Sequence, residues 1–300
     1  MSAAARASLI GLLCLIWGST WLAIKIGLEG LPPFFGAAVR FASAAAILLA
    51  LARVRKVPFP RSRRAHAGLL GLGLSSFWLS YGIVYWAEQY LTSGLTAVLF
   101  ATLPLFTLLF AHGLIPAERI TLRSAAGVVV GFLGVVVVFQ SDLRLAHPMA
   151  PTAAAAVLLS PLASALGAVG IKRWAIHIHP YHLTILPMTY GAIGLFATSL
   201  FLEDAAAAEW SAAAIGSVLY LAIFGSVVAF VVYYTLLRQV AVTTLNLMSY
   251  VFPIVAVILG YLILGERLGP FALAGAALIL IGIALATWRR RRPGVREEPL

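Results

Sequence analysis

Aromatic side chains recur at helical spacing inside apolar stretches of the sequence. Trp17 and Trp21 share one helical face, and Trp78, Tyr81 and Tyr85 follow a similar spacing. Such rings can stack on a flat substrate or pack helices together. Hydroxyl and amide groups accompany them, and an amide in an apolar helix must face protein or water rather than lipid. The candidate cavity residues are Trp17, Ser19, Thr20, Trp21, Trp78, Tyr81, Tyr85, Asn246, Ser249 and Tyr250.

Two cations accompany these aromatic residues. Arg40 lies within an apolar stretch, where a charge at the bilayer centre costs about 2.5 to 3.5 kcal/mol. It therefore needs a partner, and the choices are a substrate carboxylate, helix-end carbonyl groups, Glu29 or Glu88. We favour a structural or gating role for Arg40 over substrate recognition, and we assign Lys25 to the same class.

The elements that position these residues must be membrane helices. The chain has 300 residues, of which 62% are apolar and 10% charged, whereas a soluble protein carries about 25% charged residues. Lipid must therefore be the outer solvent. A membrane helix needs about 20 apolar residues, and the sequence predicts an all-α membrane protein with ten transmembrane helices. The predicted spans are 7–28, 33–53, 67–87, 91–113, 123–140, 152–174, 181–202, 212–237, 243–264 and 270–288.

The basic residues indicate the orientation. If the N-terminus is cytoplasmic, nearly all 21 lysines and arginines fall at inner ends, whereas the outer ends hold only Lys25, Arg144 and Arg267. We therefore expect a bacterial inner-membrane protein with both termini in the cytoplasm. The net charge of +11 then anchors cytoplasmic loops beside anionic lipid. No nucleic-acid partner is expected.

The chain also repeats itself. Five spans in each half, an odd number, make the second half enter the membrane in the opposite sense, and inverted repeats enclose substrate sites near the bilayer midplane. We predict a first repeat at 1–143, a periplasmic linker at 144–151, a second repeat at 152–288 and a basic cytoplasmic tail at 289–300. Pairs at nearly constant separation are Lys25 and Lys172, Tyr85 and Tyr234, Pro104 and Pro253, Glu118 and Glu266, Arg119 and Arg267, Gly127 and Gly275, and Gly134 and Gly282.

Proline and glycine within the spans suggest how the helices pack and move. Pro104 and Pro253 each remove a backbone hydrogen bond inside a span, which predicts matched kinks in moving elements. Gly127 and Gly131 have a spacing that permits close helix approach, and we treat them, like Gly275, as structural. We expect a monomer, with a dimer through such a face as the alternative.

No Asp or Glu falls deep in a predicted span, and Glu29, Glu88 and Glu118 all lie at span ends. Proton-coupled transporters usually place a carboxylate or histidine at membrane depth. The sequence therefore favours passive, gradient-driven exchange over obligatory proton antiport. The histidine cluster within 177–182 has no neighbouring carboxylate or cysteine, so neither a metal site nor a cofactor is expected.

Several of these motifs resemble one family. The stretch 15–21 (LIWGSTW), Arg40, and the run from Pro253 through 265–267 to Gly275 and Gly282 resemble the drug/metabolite transporter superfamily, in particular its EamA-type ten-helix exporters. The first copy departs slightly, with Pro-Ala before Glu118 where the second has Leu-Gly before Glu266. The resemblance implies export of a small-molecule substrate, often an amino acid. Within the family the chain is similar to an exporter of aromatic amino acids.

Three alternatives remain at the level of sequence. A carrier of nucleotide sugars or other phosphorylated metabolites would need several cavity cations, and only Lys25, Arg40 and Lys172 qualify. A channel would conduct without matched moving helices. An intramembrane enzyme is disfavoured because the sequence has no G-x-S-x-G or H-E-x-x-H motif and no paired carboxylates at membrane depth.

Overall fold

The computed structural model describes residues 1–60, 62–115, 120–139 and 147–287. All regular elements within these ranges are helical, which confirms the predicted all-α class. The α-helices are α1 (Ala3–Gly27), α2 (Pro33–Val54), α3 (Arg63–Leu72), α4 (Tyr81–Ala87), α5 (Ser93–Phe100), α6 (Leu103–Leu114), α7 (Leu122–Phe139), α8 (Ala150–Val157), α9 (Leu159–Gly170), α10 (Pro180–Leu202), α11 (Ala212–Ala222), α12 (Ala229–Leu237), α13 (Val242–Asn246), α14 (Val251–Leu264) and α15 (Pro270–Thr287).

Several of these helices join into longer runs through π-helical turns. Gly73–Ser80 connects α3 to α4, Ile171–Ala175 extends α9, and Ile223–Val228 connects α11 to α12. In the part of the chain that the structure describes, seven helical runs are long and apolar enough to cross a membrane, and three apolar helices are shorter. The long runs are Ala4–Gly27, Pro33–Val54, Ala65–Ala87, Ser93–Leu114, Ala150–Ala175, Pro180–Leu202 and Ala212–Leu237; the shorter helices are Leu122–Val137, Met248–Leu264 and Pro270–Gly282.

Some sequence predictions fall outside the described residues. Glu118 and Arg119, two members of the repeat pairs, are in this group. So are residues 144–146 of the predicted linker, which include Arg144, and the predicted tail at 289–300.

Pro104 and Pro253 lie where helical runs break. The chain turns at residues 101 and 102 before Pro104 enters the first turn of α6. A 3-10 turn at Leu247–Tyr250 similarly precedes α14, whose first turn contains Pro253. Proline suits a first helical turn because its missing N–H has no intrahelical acceptor there. Each proline therefore lies just after an interruption of its helical run, and the matched movement of the two elements stays a prediction.

The glycines of α7 and α15 let these two helices touch backbone to backbone. A Cβ atom added at Gly282 would collide with Gly131 and with the carbonyl oxygen of Gly127, and one added at Gly134 would meet the carbonyl oxygen of Gly275. Only glycine permits such an approach. The small-residue face is thus used within the chain.

Side chains at the centre of the bundle and on its outside differ in the expected way for a lipid-embedded protein. Arg40, Phe41 and Phe77 are fully buried. Large apolar residues such as Leu200 and Phe201 are instead 78% and 85% exposed. An outer surface this apolar needs lipid rather than water as its surroundings.

Candidate functional site

A cavity lies between helices from the first half of the sequence and helices from the second half. It has about 850 Å³ of atom-free space, part of it open to solvent. Its described lining contains no charged side chain. Aromatic rings, small hydroxyls and one amide form the wall, as in sites that hold a small ligand mainly by shape and a few hydrogen bonds. Predicted cavity residues that line it are Trp17, Thr20, Trp21, Tyr81, Asn246 and Ser249.

Trp78, one of the predicted cavity residues, does not line this cavity. Its ring lies against Gly194 of α10 and is 37% exposed. Its indole nitrogen donates a hydrogen bond to Thr198 Oγ1 at 2.9 Å, so its polar group is used at the outer surface of the bundle. Trp78 lies in the π-helical turn Gly73–Ser80, whereas Tyr81, which lines the cavity, begins α4.

Ser19, Tyr85 and Tyr250 also lie outside the cavity wall. Ser19 lies 2.6 Å from the hydroxyl of Tyr220 and also donates to carbonyl groups of its own helix. Tyr85 is buried and accepts a hydrogen bond from Arg40. Tyr250 packs beside a second apolar cluster that includes Leu91.

The sequence predictions missed an aromatic group contributed by the later helices. Phe230 and Tyr233 of α12 and Phe252 of α14 surround Trp17, with ring centroids 5.1, 5.4 and 6.1 Å from its own. Tyr234, the repeat partner of Tyr85, also lines the cavity. That pairing was a signal in the sequence, because it marked α12 as the counterpart of α4.

A buried polar bridge connects three helices beside the cavity. The Tyr233 hydroxyl donates to Asn246 Oδ1 at 2.9 Å, and Asn246 Nδ2 donates to Thr107 Oγ1 at 2.9 Å. Asn246 is thus satisfied by protein groups from α12 and α6. In an apolar environment these bonds fix the position of the short helix α13 and of the cavity wall it carries.

Trp17 and Trp21 differ in how their indole nitrogens are used. Trp17 Nε1 donates to the carbonyl oxygen of Gly225 at 3.2 Å, which links α1 to the π-helical turn before α12. Trp21 Nε1 is buried and has no hydrogen-bond partner among the described residues. Trp21 lines the cavity, and a buried donor left without an acceptor at such a position is costly.

Arg40 is held by hydrogen bonds from three sides. Its guanidinium donates to Ser226 Oγ at 3.0 Å, to the Gly225 carbonyl oxygen at 3.3 Å and to the Tyr85 hydroxyl at 3.4 Å. The ring of Tyr81 lies 5.0 Å from its Cζ atom. Within the described residues Arg40 forms no ion pair with Glu29 or Glu88. A carbonyl and two hydroxyls are its partners, and they join α2 to α4 and to the turn before α12.

Lys25 holds the end of α4. Its ammonium group donates to the carbonyl oxygens of Glu88 and Leu91, which follow the last turn of that helix. A cation at this position is favourable because the helix C-terminus carries partial negative charge.

Glu266 holds the beginning of the next helix, α5. It accepts hydrogen bonds from Ser93 N at 2.9 Å and Ser93 Oγ at 2.6 Å. Gly265, at φ 66°, allows the chain to turn at the end of α14 so that this carboxylate can reach α5. Lys25 and Glu266 together fix the connection between α4 and α5.

The chain belongs to the EamA-like transporter family, which it matches over residues 6–140 and again over 151–288. It is 32% identical to the uncharacterized inner membrane transporter YedA of Escherichia coli, over 92% of this chain and 88% of YedA. It is 28% identical to the uncharacterized transporter YoaV of Bacillus subtilis, over 91% and 94%. Protein PagO of Salmonella typhimurium is 26% identical, over 94% and 92%.

A solved crystal structure has the same fold. The TM-score is 0.72 at 20% sequence identity, and the match covers 97% of this chain and 100% of the other. Family and helical architecture together define a multi-pass membrane transporter rather than an enzyme.

Proposed function

We propose that this transporter is a ten-span inner-membrane exporter of small neutral or zwitterionic metabolites, in particular aromatic and other neutral amino acids. The observation that carries the proposal is the cavity wall, which combines aromatic rings with uncharged hydrogen-bonding groups. Rings can stack on a flat side chain, and the hydroxyl, amide and indole groups can bind the polar end of the same molecule.

The proposed architecture is two inverted five-helix halves with both termini in the cytoplasm. Two successive matches to the same family, at 6–140 and 151–288, favour a duplicated chain. Seven long and three shorter apolar helices in the described residues are compatible with ten spans. Inverted halves would allow the cavity to open to either side in turn. We expect a monomer, since the glycine face of α7 is already occupied by α15.

The free indole N–H of Trp21 is the group we assign to substrate binding. It can donate to a carboxylate oxygen, which is an acceptor that every free amino acid carries. Trp17 stands one turn away on the same helix and offers its ring face, while its own N–H is occupied by Gly225. The two tryptophans therefore have complementary tasks.

A carrier of phosphorylated metabolites is the second candidate on the same fold. Phosphate groups call for several cations, and none lines the described part of the cavity. The sequence candidates for that task, Lys25 and Arg40, are bound to carbonyl and hydroxyl groups in this structure. These contacts favour the neutral or zwitterionic substrate.

The test is counterflow into proteoliposomes, with a panel of the twenty amino acids and a parallel panel of sugar phosphates. Stimulated uptake of aromatic amino acids is the expected result. Exchange of sugar phosphates without any amino acid would contradict the proposal and support the second candidate.

Trp21→Phe sharpens this test because it keeps a ring and removes only the N–H donor. Loss of one hydrogen bond to a charged acceptor is worth about 1.5 kcal/mol, so transport efficiency should fall by about tenfold. Trp78→Phe is the matched control, since it removes an N–H that donates to Thr198 outside the cavity. Equal losses in the two variants would remove Trp21 from the binding site.

A further inference from the structure

One carboxyl group of the protein is buried without a partner. Glu88 follows the last residue of α4, and its side chain has no solvent exposure. Both of its carboxylate oxygens lack a hydrogen-bond partner among the described residues. An ionised carboxylate in such surroundings is very costly, whereas a neutral carboxylic acid is tolerated far better. Ionisable groups kept at such positions in membrane proteins are functional as a rule.

Glu88 stands next to the transport cavity. Val84, one helical turn earlier on the same face of α4, lines the cavity. Ile24 also lines it and directly precedes Lys25. Glu88 and Lys25 therefore lie just beyond one end of the cavity, the end that the proposed orientation places toward the outside of the cell.

Four ionisable groups lie near enough to Glu88 to interact with it electrostatically. They are Lys25 of α1, Arg40 of α2, Tyr85 of α4 itself, and Glu266 after α14. The helices α8 and α9, which also pack against α4, contribute no ionisable side chain.

These charged neighbours are already engaged. Lys25 binds two carbonyl oxygens, Arg40 binds Ser226 and Gly225, and Glu266 binds Ser93. The carboxyl group of Glu88 is the one charge-bearing group of this set that no contact in the described residues compensates. Helix capping accounts for Lys25 and Glu266 but leaves Glu88 unexplained.

We propose that Glu88 is a proton-binding site that couples substrate export to proton entry. In the closed arrangement seen here one carboxylate oxygen holds a proton, forming a neutral acid. When the outer end of the cavity opens, the carboxylate takes a proton from external water; when the cavity opens to the cytoplasm, the O–H bond breaks, the proton passes to water on that side, and the remaining carboxylate is compensated by Lys25. One proton bound and released in each cycle would be exchanged for one substrate molecule. The coupling rests on the proposed export function, whereas proton binding itself does not.

Lys25 lies where its positive charge can compensate the negative charge that forms on Glu88. Its ammonium group already binds the backbone carbonyl of Glu88. Moving from that carbonyl to the carboxylate of the same residue is a short displacement. Loss of the proton would thus pull Lys25 away from the end of α4 and loosen the connection to α5. In this way proton release is linked to movement of the helices that bound the cavity.

The experiment uses the full chain in vesicles of phosphatidylethanolamine and phosphatidylglycerol. Infrared difference spectra across a pH jump, without substrate, should show the carbonyl band of a protonated carboxylic acid. Glu88→Gln should lose that band, and Glu88→Asp should keep one at a shifted frequency. Glu29→Gln is the matched control, because Glu29 is exposed near the same membrane face; this variant should keep the wild-type band.

The second measurement concerns coupling. For one proton exchanged per substrate molecule, a gradient of about one pH unit supports up to about a tenfold substrate concentration ratio. The probe is a mixture of the twenty amino acids. Wild-type vesicles should accumulate substrate against its gradient, and Glu88→Gln vesicles should only equilibrate it.

The outcomes separate the two proposals. Amino acid exchange with no carboxylic acid band in the wild type, or with the same band in Glu88→Gln, would overturn proton binding and leave the export function intact. A band that depends on Glu88, without movement of any amino acid, would support the proton site and refute the proposed substrate. Substrate accumulation that persists in Glu88→Gln would overturn the coupling.

Discussion

Two helices in distant parts of the chain end in the same way. Lys25 donates to the carbonyl oxygens of Glu88 and Leu91 beyond α4, and Lys172 donates to those of Leu237 and Val240 at the end of α12 and beyond it. In both cases the two carbonyls belong to residues three positions apart. The lysines and the carbonyls they bind stand in corresponding places of the proposed repeats.

The two helix ends differ in the side chain of the first residue whose carbonyl oxygen the lysine binds. It is a buried carboxyl group at Glu88 and a buried aliphatic group at Leu237. The second end shows that lysine capping works with an aliphatic residue at this position. The carboxyl group of Glu88 is therefore not required to build the helix end, which leaves a task in the transport cycle as its explanation.

The largest expected effect comes from removing the first lysine. Lys25→Met takes away two charge-assisted hydrogen bonds and should destabilise the protein by about 2 to 3 kcal/mol. Thermal unfolding in detergent measures the loss, and Lys172→Met provides the comparison at the second helix end. Adding Glu88→Gln to Lys25→Met should cost nothing further at high pH, because the amide needs no cation. An unchanged melting temperature for Lys25→Met would show that the two carbonyl bonds do not hold the helix end.

A smaller effect is expected when the first helix end is given the side chain of the second. Replacing a buried ionisable group by an apolar one of similar volume is often neutral or stabilising. Glu88→Leu should therefore change stability by less than about 1 kcal/mol, while proton-driven accumulation is lost. A large fall in melting temperature would instead assign Glu88 a structural role and break the comparison.

The sequence predicts the helices well because a helix that crosses lipid must be apolar over about 20 residues, whichever other helices it packs against. It predicts cavity residues less well, since a periodicity of 3.6 residues assumes an α-helix throughout. Trp78 lies in a π-helical turn and Tyr250 in a 3-10 turn, where that periodicity fails. Both residues lie outside the cavity wall, as do Ser19 and Tyr85 of regular α-helices, whereas Ser249 of the same 3-10 turn lines it.

Glu88 shows a second limit of prediction from the sequence. Hydropathy correctly ends the span at residue 87, which assigns the next residue to a wet interface. The charged groups around it come from α1, α2 and the segment after α14, which are distant in sequence. Only tertiary structure reveals that a residue at the end of a span is completely enclosed. The expectation of passive exchange rested on the absence of such a group.

The smallest effect on stability is expected from a titratable group far from Glu88. His179 Nδ1 accepts a hydrogen bond from Tyr181 N and caps α10. Partial burial, and then the charge of Arg238, lower the pKa of His179 below its ordinary value. As pH falls through about 6.5, the unfolded chain binds a proton before the folded protein does, so stability present at higher pH is lost.

Protonation of His179 also removes the acceptor that caps α10. His179→Asn keeps an N-cap acceptor but does not titrate. It should therefore flatten the dependence of melting temperature on pH below about 6.5 by an amount corresponding to at most about 1 kcal/mol. His177→Asn, at an exposed neighbouring position, should leave the dependence unchanged. Acidification destabilises the protein through His179 but not through a Glu88 that is already neutral. A loss of stability on acidification that persists in His179→Asn and disappears in Glu88→Leu would therefore contradict the assignment of a bound proton to Glu88.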